Sequence, residues 1–111
     1  MELHENEVDG VTVLEVKGRI DSTTAATFGT RMDAALTMPQ RRILLDLGQL
    51  EYISSAGFRV LYLAAKRTGE TGSKFAICGL SDRVREVFAI AGFLKLLTVL
   101  PSREEGIAAL R

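Results

Sequence analysis

Apolar positions along this chain change their period several times, and each change marks an element. From Leu3 to Val8 apolar and polar residues alternate loosely, Asp9-Gly10 is a hairpin signal, and Val11 to Val16 resumes with β-branched residues at alternate positions. Two antiparallel strands are expected there. After Ile20-Asp21, the polar cluster Ser22-Thr23-Thr24 opens a helical period carried by Ala25, Phe28, Met32, Ala35 and Leu36, which closes near Met38-Pro39. Arg42-Ile43-Leu44-Leu45-Asp46-Leu47 is short and almost continuously apolar, as suits a central strand covered on both faces. A strand, crossover helix and strand form a right-handed parallel unit, so the strands ending at Ile20 and Leu47 should run the same way. That brings the Asp21 loop and the Ser54-Ser55 loop to one rim, where open α/β sheets place their sites.

A second helix is expected from about Ser55 to Gly69, with Phe58, Leu61, Tyr62 and Ala65 as its inward stripe. Arg59, Val60, Leu63, Lys66 and Arg67 fall roughly on the opposite face, a mixture of cationic heads and aliphatic area that suits a partner surface or a solvated face. Lys74 to Cys78 reads as a strand. Ser81-Asp82-Arg83 then caps a helix whose Val84, Val87, Phe88 and Ala91 keep period until Gly92. Leu96 to Leu100 reads as a last strand before Pro101, and the capping-box spacing from Ser102 to Glu105 opens a terminal helix weakened by Gly106.

Size and charge narrow the function. A chain of 111 residues suits one domain, taken as 1–111, with room for a real core. Fourteen basic against fourteen acidic side chains provide no global field to gather nucleic acid or an anionic membrane, and the surface charge suits a monomer. Cys78 is the only cysteine and sits in an apolar run, read as a small buried hydrophobe in a reducing compartment. His4, the only histidine, has no companion with which to form a metal cluster. Neither a secretory signal nor a membrane-spanning run is visible, so a cytoplasmic location is expected.

The candidate chemistry gathers at Tyr52-Ile53-Ser54-Ser55-Ala56-Gly57, where a strand runs into serines that open a helix. Unpaired N–H groups and the positive end of the backbone dipole favour a negative group at such a junction, so phosphate on a serine would be tolerated. Serine is also a preferred N-cap, and Asp21 can equally serve only to start the first helix. Catalysis by Asp21, Asp46 and Ser55 is disfavoured: no histidine lies near them in sequence, and neither a G-x-S-x-G elbow nor a Walker loop is present. Nucleotide binding at the helix amides, the remaining small-ligand reading, lacks a Gly-rich cradle. No cofactor is expected.

Several local motifs in this order resemble the STAS domain of bacterial anti-sigma factor antagonists. They are Val16-Lys17-Gly18-Arg19-Ile20-Asp21, Ile43-Leu44-Leu45-Asp46-Leu47, Tyr52-Ile53-Ser54-Ser55-Ala56-Gly57, and Cys78-Gly79-Leu80 followed by a helix ending Ala91-Gly92-Phe93. The resemblance covers essentially the whole chain. It implies an α/β STAS fold: a mixed four- to five-stranded β-sheet with about four α-helices packed mainly on one side. It also implies a binding module, not an enzyme, in which the unphosphorylated form binds an anti-sigma factor that is also a serine kinase of the GHKL type, with ATP bound by that partner. A sigma factor is thereby freed, and a serine phosphatase resets the antagonist. The following glycine aligns the modified serine with Ser55, with Ser54 as second choice. Ser54 itself departs from the family pattern, which often has an acidic residue there, and Ala56 stands where a second small hydroxyl residue is frequent. The implied partner surface comprises Asp21, Ser22, Thr23, Ser54, Ala56, Gly57, Arg59, Val60, Leu63, Lys66 and Arg67. The same module could instead serve a stressosome-like assembly, a lipid-transport complex or a two-component output pathway.

Overall fold

The computed structural model describes residues 1–111. Strand β1 (Glu2–Val8) turns through Asp9 and Gly10 into β2 (Val11–Ile20), paired antiparallel with it. Both turn residues have positive φ, 53° and 78°, the twist that a two-residue hairpin needs. Helix α1 (Ala25–Leu36) crosses to β3 (Arg42–Ile53), and helix α2 (Ser55–Thr71) crosses to β4 (Lys74–Cys78). After α3 (Asp82–Ile90) and the short α4 (Phe93–Leu96), β5 (Val99–Leu100) closes the sheet and α5 (Arg103–Leu110) ends the chain. The strand order is β1-β2-β3-β4-β5, with all pairs after the hairpin parallel. No helix is long and apolar enough to cross a membrane.

Alternation along the strands divides the core in two. Leu14, Val16, Ile43, Leu45, Leu47 and Ile77 meet Phe28, Met32 and Leu36 of α1, Leu61 of α2, and Val84 and Phe88 of α3. Each large side chain so buried contributes about 1.5–3 kcal/mol. On the other face Val11, Val13, Leu44, Ala76 and Cys78 are covered by Ile107 and Leu110 of α5. The central strand β3 is thus buried from both sides, as its apolar run implies, and four of the five helices lie on one side. Burial, with a smaller effect from Asp46, pushes the Cys78 thiol up to about 12, so it stays protonated through the ordinary range.

Four expectations need correcting. Strand β3 does not stop at Leu47 but continues to Ile53, because the ladder absorbs Gly48 as an irregularity: its N–H donates to Asp46 Oδ1 at 2.9 Å, and pairing with β2 resumes at Gln49. The segment Leu96–Leu100 is not one strand; the turn of α4 takes Leu96, and only Val99 and Leu100 pair with β4. Tyr62 is not part of the inward stripe of α2, where Phe58, Leu61 and Ala64 are buried and Ala65 packs against the core, and α3 stops at Ile90, with Ala91 as its C-cap. The fifth helix, α4, was invisible to periodicity because it has a single turn.

Gly106 proves to be a packing residue. A Cβ there would lie 2.5 Å from Leu44 Cδ1 and 2.8 Å from Cδ2, so only glycine lets α5 approach the sheet. Arg103 anchors the same helix, its Nε donating to Asp46 Oδ2 at 2.8 Å and its Nη2 to Glu15 Oε2 at 3.1 Å. Gly106→Ala sets a helix-propensity gain of about 1 kcal/mol against overpacking of about 1–3 kcal/mol. Because Leu44 is fully buried and cannot swing aside, a net loss of about 1 kcal/mol is expected in urea unfolding, with most of it recovered in the Leu44→Val background.

Candidate functional site

The carboxyl ends of β2 and β3 meet side by side, Ile20 opposite Ile53. One hydrogen bond ties the two loops that follow: the Ser54 N–H donates to the Ile20 carbonyl at 2.8 Å. Ser54 is extended (φ −88°, ψ 172°) and its Oγ accepts from the Gly57 N–H at 3.3 Å, which makes it the N-cap of α2. Ser55 is then the first helical residue. It is exposed, and its hydroxyl has no hydrogen-bond partner in the protein, whereas Ser54 is half-buried and engaged. The two adjacent serines therefore differ in availability, a distinction that residue type alone did not carry.

Gly57 accounts for the tight seat of this turn. A Cβ at this position would fall 2.7 Å from Ile53 Cγ1 and 2.8 Å from Ile20 Cγ2, both β-branched and stiff. It is buried and shapes the rim from beneath, and Ala56 is half-buried, packed against the core.

Asp21 braces the other loop. Its Oδ1 accepts from the Thr23 N–H at 2.9 Å, the Thr23 hydroxyl at 2.7 Å and the Thr24 N–H at 3.2 Å. The Thr23 hydroxyl foremost, with the backbone N–H groups, holds this carboxyl below its ordinary value. Thr24, the N-cap position of α1, has no capping bond of its own; Asp21 does that work from three residues upstream. Ser22 and Thr23 stay exposed on the rim. Sequence reasoning passed over Arg19 and Tyr52, which stack with the guanidinium 4.3 Å from the ring centroid on the last rungs of β2 and β3. The aromatic residue opposite an arginine in a parallel pair becomes readable only once the register is known.

On α2, Arg59 and Lys66 are exposed and Leu63 is half-exposed at 48 %, one turn apart along a single strip that starts beside Ser55. Val60 and Arg67 turn instead toward α1: Val60 packs on the core near Gly29, and Arg67 pairs with Asp33 at 3.6 Å. Of the five expected residues, Leu63, Lys66 and Arg67 still line one open groove along α2, and Val60 is half-buried. Tyr62, 48 % exposed, lies at the margin of this face. Beneath the strip, Phe58 contacts Phe88 and Phe93 with ring centroids 4.9 and 4.7 Å away, so the first turn of α2 rests on α3 and α4.

The family model of the STAS domain matches residues 3–106. A Bordetella bronchiseptica protein provisionally named anti-sigma factor antagonist BtrV is 39% identical over 111 residues, covering 100% of this chain and 96% of its own. A crystal structure from Thermotoga maritima, provisionally named likewise, superposes with a TM-score of 0.90 at 20% identity, covering 98% of this chain and 94% of that one. The phosphorylated form of the Bacillus cell fate determinant SpoIIAA superposes with a TM-score of 0.72 at 16% identity, covering 99% and 100% of the two chains. These two likenesses are of fold.

The two serines separate experimentally. Ser54→Ala is expected to cost about 1 kcal/mol, the usual value of an N-cap, and Ser55→Ala to stay within about 0.5 kcal/mol of the parent, both read from urea unfolding midpoints. Equal losses would show that the cap is not where the geometry puts it.

Proposed function

This chain belongs to the STAS-domain family, and we propose that it is an anti-sigma factor antagonist switched by phosphorylation of Ser55. The observation that carries the residue assignment is the difference between the serines: Ser54 spends its hydroxyl on the Gly57 N–H, while Ser55 presents a free, exposed hydroxyl on the first turn of α2. A kinase needs an accessible oxygen, and the helix start favours the resulting dianion. Unphosphorylated protein binds the anti-sigma factor through the rim of Ser22, Thr23 and Ser55 and the α2 strip of Arg59, Leu63 and Lys66, and so frees a sigma factor. The partner is also the kinase, of GHKL type, and holds ATP itself; a serine phosphatase restores the binding form. The chain acts by docking and has no catalytic residue of its own.

The switch follows from charge. A phosphate adds about −1.5 to −2 charge and three strong acceptors, which at a closed interface must find cations or remain buried unpaired. Close to the phosphates of a nucleotide held by the partner it meets like charge. A penalty of roughly 3 kcal/mol already removes about two decades of affinity. The fold is spared, because Ser55 makes no internal hydrogen bond to lose.

Calorimetric titration of the cognate anti-sigma factor is expected to give about hundredfold weaker binding for the Ser55-phosphorylated protein, and for Ser55→Asp a loss in the same direction, with unchanged thermal unfolding. Incubated with that kinase and ATP, Ser54→Ala should gain one phosphate by mass and Ser55→Ala none. Undiminished binding after phosphorylation would refute the switch.

A further inference from the structure

An open notch lies at the opposite end of the sheet, where β3 and β4 begin. Its volume is about 370 Å³, and it is lined by Gly10, Gln40, Arg41, Arg42, Gly72 and Lys74, with no apolar side chain. Three of its six residues are cationic, and none of the three takes part in any of the ion pairs of the molecule. We propose that this notch binds the phosphate chain of an oligophosphate, inorganic or attached to a nucleoside.

The walls are fixed before any ligand arrives. The loop entering β3 and the loop entering β4 are stitched together by three bonds: Gln40 N–H to the Thr71 carbonyl at 3.2 Å, Arg41 N–H to Ser73 Oγ at 3.0 Å, and Lys74 N–H to the Arg41 carbonyl at 2.7 Å. Gln40 and Gly72, with φ of 59° and 72°, bend the two backbones around the opening. The Arg41 guanidinium is itself pinned, its Nη2 donating at 2.7 Å to the hydroxyl of Thr12, a residue only 3 % exposed. A guanidinium has five N–H donors, so most remain for an anion, in the planar fork that suits phosphate oxygens.

Charge arithmetic argues that these cations serve more than the helices that end nearby. Helices α1 and α2 both finish at this end of the sheet, and their C-termini together bring a negative charge of about 1. Three formal positive charges outweigh it by about two before the neighbouring carboxylates are counted. On the adjoining hairpin Asp9 is paired with Arg111 at 3.3 Å, while Glu7, which accepts from the Thr12 hydroxyl at 3.4 Å, keeps its charge and leaves a positive excess of about one. Since the whole chain is formally neutral, this excess is a local feature of one rim. The absence of any apolar or aromatic lining selects phosphate over a stacked base.

The test is an amide NMR titration of the intact chain with inorganic pyrophosphate, run in parallel with ATP and AMP. Shifts are expected at Gly10, Arg41, Gly72 and Lys74, with ATP within about threefold of pyrophosphate and AMP at least about tenfold weaker, as phosphate-centred recognition requires. The double variant Arg42→Gln, Lys74→Gln leaves the Arg41–Thr12 anchor untouched and should lose about tenfold or more in affinity, while Arg85→Gln, which removes an exposed cation from α3, should not. Arg41→Lys keeps the charge but loses the fork, and should weaken binding as well. No shifts at the notch, parent-like binding by the folded double variant, or AMP as tight as ATP would overturn the proposal. Ser55 lies on the other rim, so such a failure would leave the phosphorylation reading standing.

Discussion

The seating of the first turn of α2 on the paired ends of β2 and β3 is the constraint from which the rest of the functional rim follows. It depends on one backbone hydrogen bond, Ser54 N–H to the Ile20 carbonyl, and on one missing side chain, that of Gly57, whose Cβ would collide with Ile20 and Ile53. With the turn held there, Ser54 has to be the cap and Ser55 has to face outward. Phe58, one turn on, is carried into the aromatic contact with Phe88 and Phe93. A larger residue at position 57 would lift the turn and release all three at once.

That arrangement separates stability from regulation at adjacent positions. The hydroxyl that satisfies an orphan amide of the helix and the hydroxyl available to another protein are different atoms on neighbouring residues, so modifying one need not undo the other. Asp21 repeats the division on the facing loop, where one carboxylate oxygen organises Thr23 and Thr24 while Ser22 and Thr23 remain at the surface. Support is contributed from below by apolar and backbone groups, and short polar side chains are left exposed above. The rim is thus held in place by residues that lie beneath its exposed side chains.

The helix dipoles give the two ends of the sheet opposite contributions for a topological reason. In consecutive parallel units every crossover helix starts at the carboxyl end of the strands and finishes at the amino end, so helix N-termini gather on one rim and C-termini on the other. The Ser55 rim gains the positive ends of the helices without needing basic side chains. At the other rim the negative ends are present, and Arg41, Arg42 and Lys74 more than offset them.

Hydrophobic period alone specified the hairpin at Asp9-Gly10, the buried faces of α1 and the double-sided burial of β3, because each rests on burial patterns local to one element. The serine rim could be located from the same pattern together with the right-handed crossover. Tertiary contact was needed wherever two elements approach closely. Gly106 reads as a defect in a helix until Leu44 is seen beneath it, and the need for glycine at 57 appears only with Ile20 and Ile53 in place. Val60 and Arg67 follow the helical period onto the outer face of α2, yet the placement of α1 half-buries Val60 and brings Arg67 to 3.6 Å from Asp33. The choice between two adjacent hydroxyls was of the same kind. Sequence determined that serines open α2, and only the register of Ile20 against Ile53 decided which of them caps the helix and which is left free.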